Sequence, residues 1–179
     1  KPKPEASLWQ KMTGTEPKAE APSRFTVDAG NLKSEFKPLA EGLTITVEKK
    51  TFTITPEGAK NATPEQLDDR SVIYRDVWKD TDIIYEMRGE SIKEIIVLKS
   101  KDAKANYRFN VKDAKVIAHP SRNGELAIEG LSEDYSFSSL TLDLQDRGVI
   151  SEQRVTQTAG KDGKSIDVVM DADWLKKQP

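Results

Sequence analysis

Residues 43–55 read LTITVEKKTFTIT, and their period decides the fold. Leu43, Ile45 and Val47 alternate with Thr44, Thr46 and Glu48; Phe52 and Ile54 then alternate with Thr51, Thr53 and Thr55. A period of two puts one face of each strand in a core and the other in water. Lys49-Lys50 stands between the runs without the Gly or Asn of a tight primed turn, so the expected hairpin rests on the alternation. Further along, Tyr107, Phe109 and Val111 alternate with Asn106, Arg108 and Asn110. Leu140, Leu142 and Leu144 do so with Thr141 and Asp143, and Ile166, Val168 and Met170 close the series.

Turn-forming residues separate these runs: Pro56-Glu57-Gly58, Arg88-Gly89-Glu90, Arg122-Asn123-Gly124, Asp146-Arg147-Gly148 and Lys161-Asp162-Gly163. Gly, Asn and Asp tolerate the left-handed backbone that reverses a chain. Short strands at roughly 8–12-residue spacing, so punctuated, predict an all-β fold, an antiparallel sandwich-like domain. Ile83-Ile84-Tyr85 and Ile95-Ile96-Val97-Leu98 break the alternation, and continuous apolar runs are expected in strands covered on both faces. They are read as the central strands, flanking a turn at Gly89. Helix is scarce. Thr63-Pro64-Glu65-Gln66 carries an N-cap, a Pro at N1 and a Gln at N3, which predicts a short helix near 64–69. Asp171 or Asp173 is expected to cap a final turn running to Lys177, with Trp174 and Leu175 closing the core.

Residues 1–22 hold Pro2, Pro4, Pro17 and Pro22 among Lys, Glu, Ala and Thr, a mixture that buries too little surface to offset ordering. They are read as a flexible linker, apart from Leu8-Trp9, which could dock on the body; residues 23–179 are read as one domain. Charged residues make up 32% of the chain, above the usual quarter, which suits thin β-layers with wet outer faces. The 28 basic and 30 acidic residues are interspersed, so nucleic acid is not an expected partner. No apolar run reaches the length of a membrane span. A chain that opens on Lys1 rather than Met, without a signal-peptide pattern, is consistent with a targeting segment already removed. Cysteine is absent, which removes disulfides, thiolate metal sites and cysteine nucleophiles together, and fits a large surface protein for which stray thiols are a liability.

The stretch 72–111, VIYRDVWKDTDIIYEMRGESIKEIIVLKSKDAKANYRFNV, resembles the pre-repeat region of large secreted bacterial proteins of the wall-associated and Rhs-repeat, polymorphic toxin-like, kind. The features that carry the resemblance fall on Tyr74, Trp78, Asp82, Tyr85, Lys93-Glu94, Leu98 and Tyr107-Phe109, in that order. The ending VVMDADWLKKQP is similar to the close of that region, and the likeness spans roughly residues 24–179. It implies an extracellular or cell-wall-associated β-rich module beside other domains of a larger parent chain. It brings no catalytic residue with it.

Few residues offer chemistry of their own. His119 is the sole histidine and precedes Pro120; one imidazole without Cys does not make a His-based zinc site, and no nucleophile elbow is present. Asp76, Asp80 and Asp82 surround Trp78, but lack the spacing of a calcium loop; Asp167, Asp171 and Asp173 are similar. With 30 acidic residues, a glycosidase-like carboxylate pair would arise by chance. Strand parity puts Lys93 and Glu94 on opposite faces; with Glu94 outward, Lys93 points into the layer and needs a carboxylate partner. A Lys–Asn isopeptide cross-link at that lysine would further need a buried acid. Asn61-Ala62-Thr63 matches a glycosylation sequon, relevant in a eukaryotic host only. Neither a cofactor nor a metal is therefore expected. The sequence favours a non-catalytic scaffold, with neighbouring domains of the parent as partners. The alternative is a module that binds cell-wall or surface polysaccharide, stacking sugar rings on exposed aromatics such as Trp78, Tyr135 or Trp9.

Overall fold

Alternating runs become strands, and the chain distributes them between two sheets in blocks. The computed structural model describes residues 24–88, 91–140, 142–144, 148–150 and 154–178. The segment read as a linker, with Leu8 and Trp9, lies outside them.

The chain begins as an antiparallel meander: β1 (Phe25–Asp28), β2 (Leu32–Phe36), β3 (Leu43–Val47) and β4 (Lys50–Pro56). It then crosses to a second sheet for β5 (Glu65–Gln66), β6 (Ser71–Trp78), β7 (Thr81–Arg88) and β8 (Ser91–Leu98). β9 (Asn106–Lys112) returns to pair with β4; β10 (Val116–Ala118), β11 (Leu126–Ile128) and β12 (Ser136–Phe137) extend the second sheet beyond β8. A separate ribbon follows, β13 (Leu142–Leu144) with β14 (Gly148–Ile150). β15 (Val155–Ala159) and β16 (Ser165–Met170) complete the first sheet beside β9. The orders are β1-β2-β3-β4-β9-β16-β15 and β10-β11-β12-β8-β7-β6-β5. All these pairings are antiparallel except β12 with β8. The fold is an all-β sandwich.

One core cluster joins the sheets: Phe36, Ile45, Phe52, Ile54 and Phe109 from the first meet Val72, Tyr74, Ile83, Tyr85 and Met87 from the second. Aromatic pairs cross the gap, with Phe36 and Tyr85 centroids 6.0 Å apart and Phe52 and Phe137 6.5 Å apart. Such pairs contribute about 0.5–1.5 kcal/mol beyond their buried area. The unbroken apolar runs lie, as their pattern predicts, near the middle of the second sheet. On its outer face Ile73, Ile84 and Val97 form a smaller cluster against Leu67 and Ile95. Both faces of β7 and β8 are therefore covered, which is why they show no alternation.

Local signals are corrected in two places. The helix expected near 64–69 does not form; Glu65–Gln66 pairs instead with Val72 and Ile73. This path packs Leu67 against the outer cluster and lets Glu65 bind Arg75 at 3.0 Å, contacts that decide against the helix. The hairpin of β3 and β4 turns at Glu48-Lys49, not Lys49-Lys50: Val47 pairs with Lys50, and Glu48 takes a left-handed φ of 54°. The terminal turn does form, as helix α1 (Ala172–Lys176), whose N-cap Asp171 accepts a hydrogen bond from the Trp174 N–H at 2.9 Å. Leu175 is the buried residue of the pair and Trp174 is half-buried.

Gly42 ends the 3-10 turn Leu39–Glu41 at φ 78°, ψ 166°, a region that is essentially glycine-only. A Cβ there would meet Thr53 Cγ2 at 2.5 Å and Thr55 Oγ1 at 2.6 Å; at Gly30, with φ 79°, it would meet open space. Gly30→Ala is expected to cost only left-handed strain, about 1–2 kcal/mol. Gly42→Ala should cost at least about 1 kcal/mol more, a further drop of several degrees in Tm by calorimetry. Equal melting of the two variants would contradict this account.

Candidate functional site

Aromatic residues are the first place to look for a sugar-binding surface; of the three named from sequence, Trp78 and Tyr135 are inside, and Trp9 lies outside the described residues. Trp78 is 5% exposed; its ring lies 4.7 Å from that of Tyr107 and 5.9 Å from that of Phe109, and its Nε1–H donates to the Glu57 carbonyl at 3.1 Å. The Lys104 ammonium stands 4.8 Å above the ring. Tyr135 is 7% exposed and belongs to the same core. Neither offers a free face for stacking, because a bulge turns the first inward and the loop before β12 tucks in the second.

That bulge also explains the aspartates. Between Tyr74 and Trp78, four steps of β6 face two of β7, so Val77 and Trp78 both enter the core. Asp76 adopts φ 51°, and its N–H, displaced from the ladder, donates to Asp82 Oδ1 at 2.7 Å. Asp82 is 2% exposed, and Lys99 Nζ lies 2.9 Å from the same oxygen. Lys99 also binds Asp76, whose carboxyl that contact holds below its ordinary range. Asp80 accepts from Ser100 Oγ at 2.8 Å. A lysine thus takes the position a cation would need. At the other cluster, Asp167 binds Arg108 at 2.7 Å, while Asp171 caps α1 and binds Arg154 at 2.8 Å. The Trp174 N–H, then Arg154, lower the Asp171 carboxyl. Among the described residues no group of three or more His, Asp or Glu side chains could hold a metal.

His119 is buried, and both ring nitrogens are engaged. Nδ1 accepts from the backbone N–H groups of Ser121 at 3.1 Å and Arg122 at 2.9 Å, while Nε2 lies 2.8 Å from the Glu133 carbonyl and 3.1 Å from Arg122 Nε. This imidazole organises a loop. Asn61 Oδ1 accepts from the Ala40 N–H at 2.8 Å, tying its loop to the 3-10 turn.

The parity of Lys93-Glu94 is the reverse of the expectation. Ile92 belongs to the core and Glu94 lines an inter-sheet cavity, so Lys93 points outward, across the ladder from Glu86. With Lys93 outside, the acid beside it, Glu86, is partly exposed and not the buried acid that the isopeptide reading needs. Glu94 sits directly opposite Tyr85. The Tyr85 hydroxyl is buried without a partner in hydrogen-bond geometry among the described residues, although the two groups interact electrostatically. Leu43, Ile54, Ile92, Phe137 and Ile166 supply most of the remaining wall, with Ser138 and Gln157 at its polar side. Burial raises the Glu94 carboxyl from 4.5 to about 7, against a small opposing pull from Tyr85. Burial, then Glu94, pushes Tyr85 well above its ordinary range. The cavity has room for water and not for a sugar ring.

No protein-family model, curated protein or solved structure matches the chain. The site must therefore be read from its own geometry, and Glu94 is the group that geometry singles out. Its signal in the sequence was parity: residues 92, 94, 96 and 98 share a face, but Ile95 and Val97 make the opposite face equally apolar.

The linkage has a definite sign. A carboxyl whose folded-state value is raised contributes most favourably below its unfolded value, near 4.5, and that advantage is lost as pH rises through about 7. The loss amounts to about 3 kcal/mol. Glu94→Gln should therefore be more stable than the parent chain at pH 8 and converge with it near pH 4.5. Urea melts across this range test it, and parallel stability curves for the two proteins would disprove it.

Proposed function

We propose that the chain is a non-catalytic structural module of a large bacterial surface or secreted protein, of the wall-associated or Rhs-repeat kind, held outside the cell among neighbouring domains of its parent. The observation that carries this reading is the burial of Trp78. A module that reads sugars by stacking keeps aromatic faces open to solvent, whereas here Trp78, Tyr107 and Phe109 are spent on one another across the sheets. The polar groups are similarly committed to holding the chain in place: Asp82 to a bulge, Asp171 to a helix cap, His119 to a loop. Val169, 49% exposed on β16, is a single large apolar residue at the surface among those described. An isolated apolar residue is ordinary on a protein surface.

Titration with purified bacterial cell-wall polysaccharide should leave tryptophan fluorescence without a saturable shift. Joining the chain to the domains that adjoin it in its parent should raise its Tm by several degrees, as expected when a partner binds the folded state alone. A saturable fluorescence shift, lost in a folded Trp78→Ala variant, would replace this reading with the glycan-binding one.

A further inference from the structure

We propose that Asn123 is a site of spontaneous deamidation, where the chain converts an asparagine into a mixture of aspartate and isoaspartate without an enzyme. The site is the turn from Arg122 to Glu125 between β10 and β11, and the inference is independent of the module's role in its parent. The reaction needs a carboxamide, a following backbone N–H at liberty to attack it, and little bulk in the way. Asn123-Gly124 is the one Asn-Gly pair in the chain, and glycine has no Cβ to crowd the approach. Both residues are exposed. Among the described residues neither the Asn123 side chain nor the Gly124 N–H has a hydrogen-bond partner. The turn is closed by the Glu125 N–H, which donates to the Arg122 carbonyl at 3.3 Å.

The Gly124 nitrogen gives up its proton to solvent base and bonds to Asn123 Cγ. The Cγ–Nδ2 bond then breaks, and the side-chain amide leaves as ammonia after taking a proton from solvent. The cyclic imide that remains is opened by water. Attack at Cγ, with cleavage of its bond to the Gly124 nitrogen, gives aspartate; attack at the backbone carbonyl carbon gives isoaspartate, in which the main chain runs through Cγ. Nothing is oxidised or reduced. Either product places a carboxylate next to Arg122. Isoaspartate also lengthens the main chain just ahead of Gly124, whose carbonyl accepts from Gln157 Nε2 at 3.2 Å and so helps tie this loop to β15.

The fold withholds these conditions from comparable residues. Asp162-Gly163 could cyclise in the same way, with loss of water in place of ammonia. There the Gly163 N–H donates to the Gly160 carbonyl at 2.9 Å, Asp162 Oδ1 accepts from the Lys164 N–H at 3.0 Å, and Gly163 is buried. Asn110 precedes Val111, whose N–H donates to the Lys164 carbonyl at 2.8 Å. Asn61 uses its carboxamide oxygen to accept from the Ala40 N–H at 2.8 Å. Asn31 and Asn106 precede Leu32 and Tyr107, which carry bulky side chains and lie in β2 and β9. Nucleophile and carboxamide are left together, unengaged, at Asn123.

The test is to hold the folded full chain at pH 6 and pH 8, quench samples in acid, and map peptic fragments by mass spectrometry with fragmentation that separates isoaspartate from aspartate. Asn123 should form acidic products at least roughly tenfold faster than Asn31, Asn61, Asn106 or Asn110, a barrier difference of about 1.4 kcal/mol. Isoaspartate should exceed aspartate, and the rate should rise from pH 6 to pH 8, because the attacking nitrogen must lose its proton. Asp162 should isomerise faster in guanidinium chloride than in the folded chain. Asn123→Gln should remove the acidic band that isoelectric focusing resolves in the aged protein. The proposal is overturned if Asn123 survives in the folded chain while it reacts in the denatured one, or if another asparagine reacts as fast. It is equally overturned if Asn123→Gln still develops the acidic band, or if Asp162 isomerises at equal rates in the folded and denatured chains.

Discussion

Between Tyr74 and Trp78, β6 carries two more residues than the strand it faces, and much of one end of the sandwich is arranged around that surplus. The bulge breaks the alternation so that Val77 and Trp78 both point inward, and Trp78 reaches Tyr107 and Phe109 on the opposite sheet. A displaced N–H inside a sheet is costly unless it is bonded, and Asp82 supplies the acceptor. A buried aspartate in turn requires a cation, which Lys99 provides from just beyond β8. One irregularity thus dictates a buried acid, a lysine and an inter-sheet aromatic contact. Truncating a buried aromatic of this kind costs about 3–5 kcal/mol, a large share of a domain's net stability.

The other acid that faces between the sheets, Glu94, is handled differently. Asp82 has a backbone donor and an ammonium; Glu94 has Tyr85 opposite and a mainly apolar cavity around it. Both acids lie in the same sheet, on adjacent strands, yet among the described residues only Asp82 meets an ammonium, while burial raises the Glu94 carboxyl. The aspartate end is therefore a fixed joint.

These two ends frame the functional reading. A scaffold has to hold its shape and present its ends, and it needs no open pocket of ligand size. Asp76, Asp80, Asp82, Asp167, Asp171 and His119, which sequence inspection marked for calcium or catalysis, hold the chain in place, and Trp78 and Tyr135, marked for sugar stacking, fill the core.

Alternation at Leu43–Val47, Lys50–Pro56, Asn106–Lys112 and Ser165–Met170 was enough to establish strands, their inward faces and an all-β fold, because a residue's side in a strand depends on parity alone. The unbroken apolar runs likewise marked β7 and β8 as covered on both faces, and Asp171 marked its helix cap. Where two local forms compete, tertiary contacts decided: Glu65–Gln66 joined a sheet because Leu67 and Arg75 were there to receive it. The inward turn of Trp78 required a bulge that parity cannot reveal, since inserted residues reset it. Glu94 was the hardest case. With apolar neighbours on both faces of β8, its direction depended on which face met the other sheet, and that is settled only when the two sheets pack.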